Sequence, residues 1–117
     1  MKNKFLMIIC ALSLVVLMGC GRNYDVFAQC LTDNDVTFFG AFWCPHCQNQ
    51  KNLFGGAIEH VTYVECSLPD QSGQTQICID ENIETYPTWE FADGTRVDGV
   101  QTLESLSARS GCSLEVE

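Results

Sequence analysis

The stretch Val36-Thr37-Phe38-Phe39-Gly40-Ala41-Phe42-Trp43-Cys44-Pro45-His46-Cys47-Gln48 decides the fold. Its first half, Val36 to Phe42, is β-branched and aromatic without helical periodicity, which predicts a buried strand. Its second half opens a helix, because proline is readily accommodated in a first turn. A CxxC pair therefore falls where a strand ends and a helix begins. Unsatisfied N–H groups and the helix dipole favour an anion at that point, so Cys44 is the expected attacking thiolate. Cys47 lies one turn on, on the same helical face, placed to resolve a mixed disulfide. His46 can add a positive charge beside the pair, and Pro45 fixes the turn while removing a backbone N–H.

Working outward, Tyr24 to Leu31 has apolar residues at helical intervals, and Thr32-Asp33-Asn34-Asp35 supplies a turn. The helix that starts at Pro45 is predicted to run to about Phe54 and stop at Gly55-Gly56. Val61 to Glu65 reads as a second strand, Ser67 to Thr75 as a polar loop and Gln76 to Asn82 as a short helix. Thr88 to Phe91 and Thr95 to Val97 read as a hairpin around Ala92-Asp93-Gly94. A last helix, Leu103 to Arg109, has Thr102 as N-cap, Glu104 in its first turn and Gly111 as its stop. The order α, β, α, β, α, β, β, α, without repeats or low-complexity linkers, predicts a single α/β domain.

The chain has 117 residues, 46% hydrophobic and 18% charged, with eight cysteines and a formal charge of -9. That suffices for one small core and excludes disorder as the reading of the whole. Lys2 and Lys4 precede an apolar run from Phe5 to Met18 that stops at Gly19-Cys20-Gly21. The run is short of the ~20 residues a bilayer-spanning helix needs and suits the apolar core of a signal peptide. Its end, Leu17-Met18-Gly19-Cys20, resembles the lipobox of bacterial lipoproteins, where cleavage before the cysteine leaves that thiol carrying lipid. The expected division is a lipoprotein-type signal peptide over 1–19, a tether over 20–23 lipidated at Cys20, a domain over 24–112 and a tail over 113–117. An uncleaved anchor and an ordinary secretory signal are the alternatives, and all three export the domain. The lipid would hold it at the extracytoplasmic face of a bacterial membrane, in the cell envelope. Beyond residue 19 only Arg22, Lys51, Arg96 and Arg109 oppose 15 acidic residues, so nucleic acid is not an expected partner.

The strand-WCPHC-helix arrangement, followed by Tyr86-Pro87-Thr88 ahead of a hairpin, resembles the thioredoxin-fold thiol-disulfide oxidoreductases. Pro-His between the cysteines is the dipeptide of the DsbA oxidants. The wider set Phe39 to Gln48, Tyr63-Val64-Glu65-Cys66-Ser67 and Tyr86-Pro87-Thr88-Trp89 is similar to the thioredoxin-like domain fused to bacterial vitamin K epoxide reductase homologues. That resemblance spans Tyr24 to Cys112. It implies a thioredoxin-like fold with a central mixed sheet flanked by helices, and a Cys44–Cys47 disulfide exchanged with cysteine pairs of exported proteins. It also implies reoxidation by a vitamin K epoxide reductase or DsbB-like membrane protein, here expected as a separate partner. Pro87 carries over as a cis-proline facing the cysteines, and Tyr86 as the residue offering its backbone to a substrate peptide. Trp43 is expected to rim the substrate groove; Trp89 reads as core and His60 as surface. One departure stands out. The acid that many thioredoxins bury six residues before the first cysteine is here Phe38, which leaves the proton acceptor for Cys47 unassigned.

The same resemblance implies a second disulfide, Cys66 with Cys78. With residues 1–19 removed and Cys20 lipidated, Cys30 and Cys112 then remain, and an even count in an exported protein favours pairing them, although sequence cannot show that their Cα atoms lie within ~7 Å. No cofactor is expected, and no metal: zinc requires four ligands, usually from close pairs, and only isolated cysteines and histidines accompany Cys44 and Cys47. The competing functions are a disulfide reductase or isomerase and, from another class, a lipoprotein delivering a soft metal through the same cysteines.

Overall fold

The computed structural model describes residues 23–115, so Cys20, the expected signal peptide and the end of the tail lie outside the described residues. The axis of the domain is β1, Thr37–Gly40. It pairs in parallel with β2, Thr62–Glu65, where Phe39 lies opposite Val64, and antiparallel with β3, Thr88–Glu90, where Phe38 lies opposite Trp89. The last strand, β4, Arg96–Asp98, returns antiparallel to β3 and completes the order β2-β1-β3-β4. The hairpin turns at Gly94, which adopts a φ of 84° that side-chain-bearing residues rarely take.

Because successive side chains of a strand point to opposite faces, Phe38 and Phe39 serve two cores. Phe38 stacks on Trp89 at 4.8 Å and joins the larger cluster, built from α1 (Asp25–Asp33), α2 (Pro45–Phe54) and α4 (Leu103–Ser110). Phe39 joins a smaller cluster with Cys66, Ile83 and Cys78, the last from α3, Gln76–Asp80. A β1–α2–β2 unit with parallel strands, then an antiparallel hairpin and a closing helix, with helices against both faces, is the thioredoxin-like fold. Among the described residues no helix is long and apolar enough to cross a membrane.

Element ends differ from expectation in instructive places. The strand expected over Val36 to Phe42 is confined to Thr37–Gly40, because Ala41 to Trp43 must turn to deliver Cys44 to the helix start. Gly55 ends α2 with a φ of 58°, yet the chain continues as a 3-10 turn over Gly55–His60 that the double glycine concealed. Ala57, buried in that turn, supplies the apolar contact that holds it on the core. At α4, the Thr102 hydroxyl accepts from Ser105 N at 3.0 Å, and Gly111 closes the helix in the left-handed region. Packing continues past Cys112, with Leu114 lying on the larger core.

One buried polar side chain ties α2 to the far side of the domain. Gln50 is fully buried, and its Oε1 accepts from Trp89 Nε1 at 3.0 Å and from Gln101 N at 2.7 Å, while its Nε2 donates to Gln101 O at 3.0 Å. Gln50→Leu keeps the volume but strands two donors and a carbonyl. Since each buried unsatisfied group costs about 1–3 kcal/mol, a loss of about 2 kcal/mol or more is expected in urea unfolding. An unchanged midpoint would show that water replaces the amide.

Candidate active site

Cys44 is the N-cap of α2, held extended at φ −77° and ψ 122°, with Pro45 opening the helix. The Cys44 N–H donates to Ala41 O at 3.0 Å, and the Gln48 side chain donates to Phe42 O at 2.6 Å, so the loop before the cysteines is fastened to the turn that follows them. Cys44 and Cys47 are free thiols. They differ in access: Cys44 is 7% exposed and Cys47 0%. His46 and Pro45 sit on the exposed side of the turn.

Opposite the pair, the Tyr86–Pro87 peptide is cis and Pro87 is buried. The Cys44 thiol points to Tyr86 O at 3.8 Å, so the residue expected to offer its backbone to a substrate stands beside the more accessible cysteine. Trp43 is 45% exposed, its ring edge-on to Tyr86 at 6.2 Å, and its indole N–H donates to Ser67 Oγ at 2.8 Å. With exposed Phe42, these rings form an apolar rim around Cys44.

Beneath the rim, Cys47 occupies space that only glycine leaves open. A Cβ at position 40 would meet Cys47 Sγ at 2.9 Å and the Tyr63 ring at 3.0 Å. Burial pushes the Cys47 thiol up to about 11; its hydrogen bond to Cys44 adds to the rise, and the Ala41 backbone and the Lys51 charge oppose it. Lys51 lies four residues along the helix from Cys47, and its Nζ sits 4.1 Å from the centre of the Tyr63 ring. The Tyr63 hydroxyl donates to Glu65 at 3.0 Å, and burial followed by that carboxylate raises its pKa. Phe38, at the place of the missing acid, is packed between the Tyr63 and Trp89 rings.

Lys51, Tyr63, Ser67 and Gln74 surround the site although no sequence motif gave them a role in it. The signal for Lys51 was present, since a residue four positions on shares a helical face. Tyr63 and the two loop residues reach the site only through the β1 and β2 register and a closed loop.

The raised Cys47 value has a signed consequence. An unperturbed thiol titrates near 9.0, whereas Cys47 keeps its proton to about 11 when folded. Between those values the unfolded chain sheds a proton that the folded domain holds, so this contribution to stability is complete below 9.0 and is lost toward 11. The reduced domain should therefore lose more stability on alkaline transfer than its Cys47→Ser variant. Urea midpoints of both at neutral and alkaline pH measure the difference, and parallel slopes would remove the assignment.

Among the described residues the other four cysteines form two disulfides. Cys30 at the end of α1 joins Cys112 with a Cα separation of 5.9 Å, and Cys66 joins Cys78 at 5.4 Å. Among the described residues no group of three His, Cys, Asp or Glu side chains is arranged to hold a metal.

No protein-family model matches the chain. It is 37% identical over 92 residues to thiol-disulfide oxidoreductase LTO1 of Arabidopsis thaliana, a match covering 75% of this chain. The same match covers 24% of that protein, so the chain is similar to one part of a longer thiol-disulfide oxidoreductase.

Proposed function

We propose that this domain is an exported thiol-disulfide oxidoreductase, lipid-anchored through Cys20, that passes a Cys44–Cys47 disulfide to cysteine pairs of exported proteins. The observation that carries the reading is the asymmetry of the pair. One cysteine keeps a small exposure of 7% at a helix start beside the Tyr86 carbonyl, and the other has none. The similarity to a thiol-disulfide oxidoreductase supports the same chemistry.

In the forward step a client thiolate attacks Cys44 Sγ, the Cys44–Cys47 bond breaks, and Cys47 leaves and takes up a proton. The client's second thiolate then attacks its own sulfur in the mixed disulfide and expels Cys44 as thiolate. Two electrons have moved from client to domain. Because a thiol of high proton affinity is the poorer leaving group, Cys47 has to take up its proton as the bond breaks. A vitamin K epoxide reductase or DsbB-like membrane protein accepts the two electrons and restores the bond. Pro-His between the cysteines supports the oxidant direction, and two further disulfides suit an oxidising compartment.

Equilibration of the domain with glutathione buffers, followed by thiol trapping, tests the reading. A potential near about −120 to −180 mV supports an oxidant or isomerase, whereas one near about −270 mV makes the domain a reductase. A pair that never exchanges with glutathione overturns the reading. So does stoichiometric zinc or copper lost in Cys44→Ala, which would replace it with metal delivery.

A further inference from the structure

The loop between Cys66 and Cys78 takes no part in the exchange steps, yet it holds both aromatic rings that flank Cys44. Ser67, 5% exposed, accepts from Trp43 Nε1 at 2.8 Å while donating to Leu68 O at 2.9 Å. Its own N–H donates to Glu65 at 2.9 Å, so the hydroxyl is fixed from both sides. Across the loop, Gln74 Nε2 donates to the Tyr86 hydroxyl at 2.8 Å and to Ile83 O at 2.7 Å. Ser67 and Gln74 are themselves antiparallel bridge partners. The Thr75 N–H donates to Cys66 O at 2.7 Å, and the Cys66–Cys78 bond closes the base of the loop.

We infer that Ser67 and Gln74 are positioning residues that set the client groove, and that the Cys66–Cys78 bond keeps them in register. A half-exposed tryptophan without a partner samples several rotamers, and a peptide must then select the competent one on binding. With the indole pinned to Ser67 and the phenol to Gln74, the edge-to-face pair stands ready beside Cys44. The client it fits is an extended peptide with an apolar side chain next to its reactive cysteine, since Phe42 and Trp43 present apolar surface there. This inference rests on the oxidoreductase reading, whose failure is separable from its own.

The test is steady-state oxidation of a dithiol peptide carrying leucine beside one cysteine. Ser67→Ala and Gln74→Leu should each raise KM roughly 3- to 10-fold with kcat held within about twofold, the range expected for one lost hydrogen bond. The alkylation rate of Cys44 and the potential of the pair should not move, and Ser67→Thr should restore KM. In a Trp43→Phe background, which has no indole N–H, Ser67→Ala should add nothing. The double variant Cys66→Ala/Cys78→Ala should raise KM at least as much as either single substitution. Acrylamide quenching of Trp43 emission should increase in Ser67→Ala, a readout that requires no turnover. Unchanged KM, an equal Ser67→Ala effect in the Trp43→Phe background, or unchanged quenching would each overturn the inference. A wild-type domain inactive toward every dithiol, with quenching still altered in Ser67→Ala, would instead overturn the oxidoreductase reading and leave the anchoring of Trp43 standing.

Discussion

Cys44→Ser is expected to abolish disulfide exchange, by on the order of 1,000-fold or more, whereas Cys47→Ser should accumulate covalently bound to its client. The difference follows from access. Cys44 keeps a small exposure of 7%, whereas Cys47 has none and packs against Gly40 and Tyr63, so an outside sulfur should meet Cys44 first. With Cys44 alone present, its thiolate attacks a client disulfide, one client sulfur leaves, and the mixed disulfide persists because the resolving thiol is gone. Non-reducing gels and mass spectrometry of Cys47→Ser incubated with an oxidised peptide would reveal the adduct. Equal trapping by both single variants would mean that the pair opens and that the burial difference does not set the order of attack.

Loss of the Cys30–Cys112 disulfide should destabilise the domain by about 3–5 kcal/mol and lower its melting temperature by more than about 12 °C. The bond joins the end of α1 to the segment after α4 across 82 residues of sequence, so it closes nearly the whole domain. By the chain-entropy estimate it should contribute about 1.7 kcal/mol more than Cys66–Cys78, which closes a separation of 12. Cys112 is buried in the larger core and the Asn34 side chain donates to Cys30 O at 2.7 Å, so the surroundings also favour the joined geometry. Urea unfolding of Cys30→Ala/Cys112→Ala, with the Cys44 and Cys47 pair kept in one redox state, measures the loss. A loss no larger than that of Cys66→Ala/Cys78→Ala would show that the unfolded chain is already compact where the longer bond acts.

Much of the fold was legible because local and long-range demands coincide. Phe38 and Phe39 follow one another in a short β-branched run, and only a strand covered on both faces buries both. Thr102 and Gly111 bracket the last helix with residues whose capping chemistry is local. The 3-10 turn after Gly55 was not legible, because two glycines signal a stop and the buried contact of Ala57 is a tertiary fact. At the site, the cysteines and Pro87 announced themselves through motif chemistry. The surroundings of Cys47 did not: Tyr63 comes to it through the pairing of Gly40 with Glu65 and Phe38 with Tyr63, a register no short motif encodes. The supports of the rim were hidden for the same reason, since a polar loop gives no sign that two of its residues will each hold an aromatic ring.

The sealing of Cys47 also governs how the domain meets peroxide. Of the two thiols, Cys44 is the one an oxidant from solvent should meet first, forming a sulfenic acid with which the neighbouring Cys47 thiol would condense, expelling water and closing the disulfide. Damage that would otherwise climb toward irreversible sulfinic acid would thereby be returned as the oxidised form of the pair.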